Sequence, residues 1–346
     1  MGETWTSSMN GAPWTKNKMN KAIKILDTRA TISFVIDIDK IDDLLALDQH
    51  VFSKRQDFIL SISSVDMKGL YTKELLSTLA ELKHVSALRL NLIQSCDLSL
   101  LGQLHHLKYL SIISKKPINL DFLANFTQLQ FLSLDGKFTD LQPIENCHQL
   151  DTLILRCTVS ELGFVSRLPR IQCLYIHDCS VEGSLAALSD SNVKILSLSS
   201  IRNLTSLDAL ASLHNLHYLR LSLPKVEYLC DFSNMKQLRQ LDLTRMKSLK
   251  NIDLLWTAQS LERITLSEIS TAIDALDFKP ITQMQHLRQL DFRFIDFNKK
   301  RITAMRKLVV EAGKGHILYE NIPEDQLVSS IADEHLAQHL SGYKNS

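Results

Sequence analysis

The sequence predicts an α/β solenoid: a curved stack of short parallel strands forming one concave sheet, with helical caps at the ends. Three observations carry that expectation. Segments such as LHHLKYLSI (104–112), FTQLQFLSL (126–134), LHNLHYLRL (213–221) and MKQLRQLDL (235–243) share one template, LxxLxxLxL, and self-similarity at a short fixed period is the signature of stacked repeats. Leucine supplies 60 of the 346 residues, so one residue type sets the pattern. Gly 10 and Pro 7 together make about 5% of the chain, against roughly 12% in an average one, which disfavours a loop-rich β-sandwich or a disordered chain.

The strands come first. The closing apolar-x-apolar pair of each copy falls at Leu88/Leu90, Leu110/Ile112, Leu132/Leu134, Leu153/Leu155, Leu174/Ile176, Leu196/Leu198, Leu219/Leu221, Leu241/Leu243, Ile264/Leu266 and Leu290/Phe292. The steps between them are 22, 22, 21, 21, 22, 23, 22, 23 and 26 residues. Two degenerate copies are expected before them, at Ile36/Ile38 and Leu60/Ile62. An LxL triplet is a short strand with alternate side chains turned inward. The second half of each copy adds another apolar set, such as Leu141 and Ile144 or Leu207 and Leu210, before the chain returns. One copy cannot bury both halves, whereas a stack of copies makes a continuous core beneath a parallel ladder.

With these residues in view, the chain resembles the leucine-rich repeat superfamily, and its 21–23 residue period is similar to the internalin and SDS22-like class. The resemblance covers residues 80–295 and implies a protein-binding role. One departure stands out. The family places an Asn three residues after the second leucine of LxL, where its amide bonds backbone groups of adjoining turns. Here those positions read Ile93, Lys115, Lys137, Thr158, Cys179, Ile201, Pro224, Met246, Ile269 and Ile295. The turns must therefore satisfy their backbone groups in another way.

An uncapped terminal repeat would leave leucines in water, so both ends should change character. Residues 1–57 are expected to hold an N-terminal arm and a cap with a degenerate repeat, residues 58–295 the solenoid, and residues 296–346 a C-terminal helical cap and tail. Within the first, Asp39 is placed to cap a short helix carrying Ile41, Leu44, Leu45 and Leu47. Residues 1–20, with Trp5 and Trp14, read as a mobile or loosely docked arm. Within the last, a helix from Asn298 to Ala312 puts Ile302, Met305, Leu308 and Val309 on one face and stops at Gly313. A second helix is expected from Pro323 to Leu340, burying Leu327, Ile331, Leu336 and Leu340.

The composition excludes several function classes. A formal net charge of +1 gives no global pull toward nucleic acid or an anionic membrane. No apolar run approaches the roughly 18 residues of a membrane span, and the first thirty residues lack a secretory apolar core, so a cytoplasmic location is expected. The six cysteines form no CxxC pair and read as reduced thiols. No phosphate loop, GxSxG or HExxH motif is present, so the chain is expected to be non-enzymatic and to need no cofactor. His335 and His339 share a helix face at i, i+4 beside Asp333 and Glu334. Two ligands are half a metal site, and a solvated helix face is the expectation.

The informative residues flank the LxL leucines and point to the opposite face of the sheet. Tyr109, Ile113, Phe131, Ile154, Tyr175 and Ile195 compose an apolar, aromatic zone, and Tyr218 continues it. Arg220, Arg239, Asp242, Arg263, Arg288, Asp291 and Arg293 compose a charged one. Aromatic residues and arginine are the side chains that dominate binding hot spots. The expectation is a monomeric scaffold that recognises a protein partner there, unless a terminal arm or the segment near residue 41 folds over the apolar zone. An immunity or antagonist protein neutralising a toxic enzyme, or a host-targeting effector, would use the same face. Nucleic-acid binding ranks last, because five arginines meet three carboxylates, Asp242, Glu262 and Asp291, in the charged zone.

Overall fold

Strands recur at the repeat period because the LxL leucines have nowhere else to go: Leu88, Leu90, Leu132, Leu174, Leu219 and Leu243 are all fully buried. The computed structural model describes residues 6–11, 13–65, 69–296 and 298–340. They form two compact units. The first takes in the described residues of Met1–Thr158, Arg167–Ile171 and His335–Ser346, the second those of Val159–Ser166 and Gln172–Glu334.

The first unit carries strands β1 (Thr6–Asn10), β2 (Leu26–Val35), β3 (Ile59–Ser63), β4 (Ala87–Leu92), β5 (Tyr109–Ile118), β6 (Phe131–Phe138) and β7 (Thr152–Cys157). Each pairs in parallel with the next, leucine beside leucine: Leu88 lies opposite Leu110, Leu110 opposite Leu132 and Leu132 opposite Leu153. The second unit carries β8 (Cys173–His177), β9 (Ile195–Ser199), β10 (Tyr218–Ser222), β11 (Gln240–Thr244), β12 (Arg263–Ser267) and β13 (Gln289–Asp291), paired in the same way. Short 3₁₀ turns such as Ser99–Gln103, Asp121–Asn125, Asp208–Ser212 and Asp253–Thr257 return the chain.

Two polar devices stand in for the missing asparagines. In the second unit the residue just after four of the strands is left-handed: Asp178, Ser200, Arg245 and Glu268 have φ of 51, 53, 54 and 49°. Each sends its N–H to a carbonyl of the following copy, Ser199, Ser222, Ser267 and Phe294 respectively, at 2.9–3.0 Å. The reversal turns the next residue, Cys179, Ile201, Met246 or Ile269, into the core. Before the 3₁₀ turns, a short polar side chain accepts the N–H two residues on: Asp97 from Ser99, Asn119 from Asp121, Asp140 from Gln142 and Asp274 from Leu276, at 2.7–2.9 Å. These Asx turns fix where each copy bends, because they offer the backbone a local partner.

The N-terminal end differs from expectation in three ways. Residues 6–10 are a strand and Lys16–Ile25 form helix α1, capped by the Thr15 hydroxyl accepting from the Lys18 N–H, so residues 6–20 are not a loose arm. Trp14 is buried; Trp5 lies outside the described residues. The first degenerate pair is Ile32/Phe34, not Ile36/Ile38, since Ile32 lies opposite Leu60 and Phe34 opposite Ile62, while Ile38 is exposed. Helix α2 (Ile41–Leu47) forms, but Lys40 is its cap residue. Asp39 instead folds its carboxylate back onto the Val35 N–H at 2.8 Å, ending β2.

Helix α3 (Lys73–Ala80) lies between β3 and β4; at the C-terminal end, after all the strands, α4 (Lys299–Glu311) begins at the Asn298 cap and ends before Gly313 at φ 73°. Leu290 and Leu318 then form a bridge, and Leu318 is buried. The long helix expected over 323–340 is not there. A 3₁₀ turn forms at Glu324–Gln326 and helix α5 is only Ile331–Leu336, because backbone groups of residues 328–331 are taken by side chains of the sheet, as described next. Of the four residues it was to bury, Leu336 is buried and Leu327, Ile331 and Leu340 are half-buried.

Candidate functional site

The column just before LxL is buried almost throughout: Tyr109, Phe131, Thr152, Cys173, Ile195, Tyr218, Gln240 and Gln289 all belong to the interior, while Arg263 is half-buried. Alternation puts this column on the face opposite the leucine core. Side chains there escape water by packing on one another, and in both units the C-terminal segment lies on that face.

In the second unit the segment is held by its backbone. The Gln240 amide uses both ends, Nε2 donating to the Ser329 carbonyl at 2.6 Å and Oε1 accepting from the Ile331 N–H at 3.0 Å. Gln289 Oε1 accepts from the Val328 N–H at 2.9 Å. One residue beyond Ala332, Asp333 enters the field of the charged zone. Burial raises its carboxyl above the ordinary range, and Asp242 adds to that, while Arg263 and Arg220 oppose it.

In the first unit the segment is held by its side chains. His335 Nε2 lies 2.8 Å from Asp151 Oδ2 and 2.9 Å from the Thr152 hydroxyl. His339 Nε2 lies 3.4 Å from the same Asp151 oxygen, and its ring sits 5.4 Å from that of Phe131. Leu336 is buried between the two histidines in sequence, and the Arg29 guanidinium donates to the Ala337 carbonyl. Burial alone would raise the Asp151 carboxyl, but hydrogen bonds from His335, His339 and Thr152 outweigh it and hold the group well below the usual carboxylate range. The solvated helix face expected for the two histidines is thus corrected: both rings are largely covered, at 11% and 15% side-chain exposure.

The remaining sequence-selected residues divide by what they touch. Phe131 stacks on Tyr109 with centroids 4.4 Å apart and planes 8° from parallel. Ile113 is exposed and Ile154 half-buried. Tyr175 is buried with its ring edge-on to His177, whose Nε2 lies 3.0 Å from the Ser197 hydroxyl. The Tyr218 hydroxyl donates to Asp242 at 2.6 Å. Arg239 pairs with Glu262 at 3.4 Å. Arg293 forks onto Asp291 at 2.8 and 3.0 Å and lies over the Tyr319 ring at 3.5 Å. Of the selected arginines Arg220 and Arg288 are exposed, and Arg239, Arg263 and Arg293 are half-buried. Five of the six cysteines are buried, and burial pushes the Cys147 and Cys230 thiols up to about 12, which makes them unreactive fillers.

No protein-family model matches the sequence, and no curated protein is similar to it in sequence. Among solved structures, an internalin (InlF) of Listeria monocytogenes aligns with a TM-score of 0.50 at 20% identity, covering 76% of this chain and 74% of that one. Internalin C2 of the same organism aligns at 0.40 and 19%, covering 57% and 84%, and a leucine-rich repeat protein of Leptospira interrogans at 0.40 and 18%, covering 74% and 78%. The first likeness, read with the parallel ladders and the repeat, decides the fold. The chain is a leucine-rich repeat solenoid. Among its described residues no helix is long and apolar enough to cross a membrane.

Gln240, Gln289 and Asp151 were missed as functional residues by reasoning from sequence, although the two glutamines stand in the same column as Tyr109 and Phe131. Their signal was polarity. A neutral amide in a column that apart from Arg263 is aromatic, aliphatic or small needs a partner if buried, and in this leucine-rich repeat chain the partner is a peptide backbone.

Proposed function

We propose that this leucine-rich repeat protein is a non-enzymatic scaffold that binds polypeptide on the face opposite its leucine core, with its own C-terminal segment as the resident occupant. One observation carries the reading: the buried amide of Gln240 pairs with both a carbonyl and an N–H of the segment's backbone. A side chain that reads backbone accepts many sequences, while its neighbours choose among them. Here Phe131 and Thr152 offer an apolar and a polar contact in one unit, and Arg220 and Arg263 favour an acidic residue in the other. A partner bearing a short extended stretch followed by a helical turn, with a carboxylate near the arginines, would replace the segment.

The test removes the segment and returns it. A chain ending at residue 326 keeps Leu318 over the last strand and is titrated with a fluorescent peptide of residues 327–340. Saturable binding is expected, weakened about ten-fold by Gln240→Ala, since two hydrogen bonds are lost at about 0.5–1.5 kcal/mol each. A folded truncated chain that ignores the peptide would sink the reading. Affinity capture of cellular proteins by the truncated chain, compared with the intact one, then names the partner.

A further inference from the structure

We propose that Asp151, His335 and His339 form a binding site for a divalent transition-metal ion of the zinc class, which fastens the end of the C-terminal segment to the sheet. The inference does not rest on the binding role above; it follows from the donor set. One carboxylate oxygen and two imidazole nitrogens have their ligand atoms within 4.8 Å of one another. Two of the separations are 2.8 and 3.4 Å. Tetrahedral zinc with bonds of about 2.0–2.1 Å sets its ligand atoms roughly 3.3 Å apart, so the Asp151 oxygen already stands near that spacing from each imidazole nitrogen.

The chemistry of the set is selective. Imidazole suits Zn²⁺, Cu²⁺ and Ni²⁺, whereas Ca²⁺ and Mg²⁺ prefer six or more oxygens, which are not gathered here. Both Nε2 atoms converge on the same Asp151 oxygen, where a metal ion would take the place of the hydrogens that now join them. Three protein ligands leave one position open, and the Thr152 hydroxyl, 2.9 Å from His335 Nε2, stands beside it as a hydrogen-bond partner for a bound water.

The surroundings are those of a built site. His335 and His339 are presented from a single turn by their i, i+4 spacing, with buried Leu336 anchoring that turn. Asp151 stands directly before β7, whose first residue is Thr152, and the Thr152 hydroxyl donates to its carboxylate at 3.0 Å. Asp151 and His339 lie 188 residues apart in sequence, so the ion would close a long loop: residues 335–340 are fixed to the sheet when it is bound and rest on hydrogen bonds and the packing of Leu336 and His339 when it is not.

The experiment uses the full chain, stripped with a chelator and titrated with Zn²⁺ by calorimetry and with Co²⁺ by absorption. We expect one equivalent bound at micromolar affinity or tighter, visible-region Co²⁺ bands of four-coordinate nitrogen and oxygen ligation, and no response to Mg²⁺. His335→Gln and His339→Gln should each weaken binding at least ten-fold, while His316→Gln, a control on an exposed histidine, should not. Zn²⁺ should also slow hydrogen exchange at residues 335–340. Should a variant fail to fold, the Co²⁺ spectrum of the wild-type chain still decides. Binding weaker than millimolar, octahedral Co²⁺ spectra, or unchanged affinity in a folded His335→Gln/His339→Gln chain would each overturn the proposal.

Discussion

The Oε1 atom of Gln240 accepts the backbone N–H of Ile331 at 3.0 Å, ninety-one residues further along the chain. The other end of the same amide donates to Ser329, so one buried side chain satisfies two backbone groups of an extended segment. This explains why α5 starts as late as Ile331. A helix over 323–340 would pair the Ser329 carbonyl with a later N–H and the Ile331 N–H with an earlier carbonyl of its own backbone, and Gln240 and Gln289 would lose their partners inside the protein.

Replacing Gln240 by Ala should therefore loosen the segment without unfolding the repeats. It removes two part-buried hydrogen bonds, to the Ser329 carbonyl and from the Ile331 N–H, at about 0.5–1.5 kcal/mol each. Hydrogen exchange should accelerate at Val328, Ile331 and their neighbours by about ten-fold or more, while the LxL amides of β11 keep their protection. Unchanged exchange over 328–336 would show that the glutamine clasp does not hold the segment.

The leucine core gives a second expectation. Leu174 and Leu196 are fully buried, and truncating either to Ala should cost about 2–5 kcal/mol, because the stack cannot collapse onto the cavity. Ile154 sits between two core leucines on β7 but points to the other face and is half-buried. Ile154→Ala should cost clearly less than either. Urea melts of the three variants decide the register, and equal losses would refute the alternation.

How much of this was legible in the sequence follows from what each signal is made of. The ten LxL pairs were readable because one residue type recurs at one spacing, and burial on alternate positions follows from the strand itself. The register of β2 was not, since ISFVIDI alternates evenly from Ile32 to Ile38 and nothing in the pattern says where pairing stops. Asp39 decides it by capturing the Val35 N–H. The aromatic and charged columns were readable as a face; their occupant was not. His335 and His339 showed half of a constellation, and its other half, Asp151, stands 188 residues from His339, a distance at which spacing carries no information. The N-terminal arm was judged by its polarity, yet Met19, Ala22 and Trp14 are enough to dock it.

The buried pair Tyr218 and Asp242 predicts alkaline sensitivity. Burial raises the Tyr218 hydroxyl well above its ordinary value, and the Asp242 carboxylate it serves raises it further. A group whose folded value lies above its unfolded one contributes stability in full below the unfolded value, near about 10 for tyrosine, and loses it as the pH climbs past that toward the folded value. Stability should hold from pH 7 to 9 and fall beyond about pH 10. Tyr218→Phe should be less stable than wild type at pH 7, because Asp242 loses its donor, and should show a shallower decline above pH 10. Parallel declines in the two proteins would assign the alkaline loss elsewhere.

Charge should set how tightly the segment rests on the second unit. Asp333 feels Arg263 and Arg220 as attraction and Asp242 as repulsion, and of the two arginines Arg220 is the exposed one, directly across the ladder from Asp242. Arg220→Glu should therefore raise the rate of chymotryptic cleavage within residues 327–340. The increase should be modest, because an exposed pair contributes only about 0.2–1 kcal/mol, or up to about five-fold in rate. It should be greatest at 10 mM salt, where the screening length is about 30 Å, and vanish near 1 M, where it is about 3 Å. The same substitution also sets two carboxylates side by side on β10 and β11, which would destabilise the sheet whether or not the segment is present. Pairing it with Asp333→Lys separates the two effects: a charge swap restores protection of the segment if Arg220 acts through Asp333. Cleavage that stays fast in the double variant and does not respond to salt would place the damage in the sheet and end the electrostatic account.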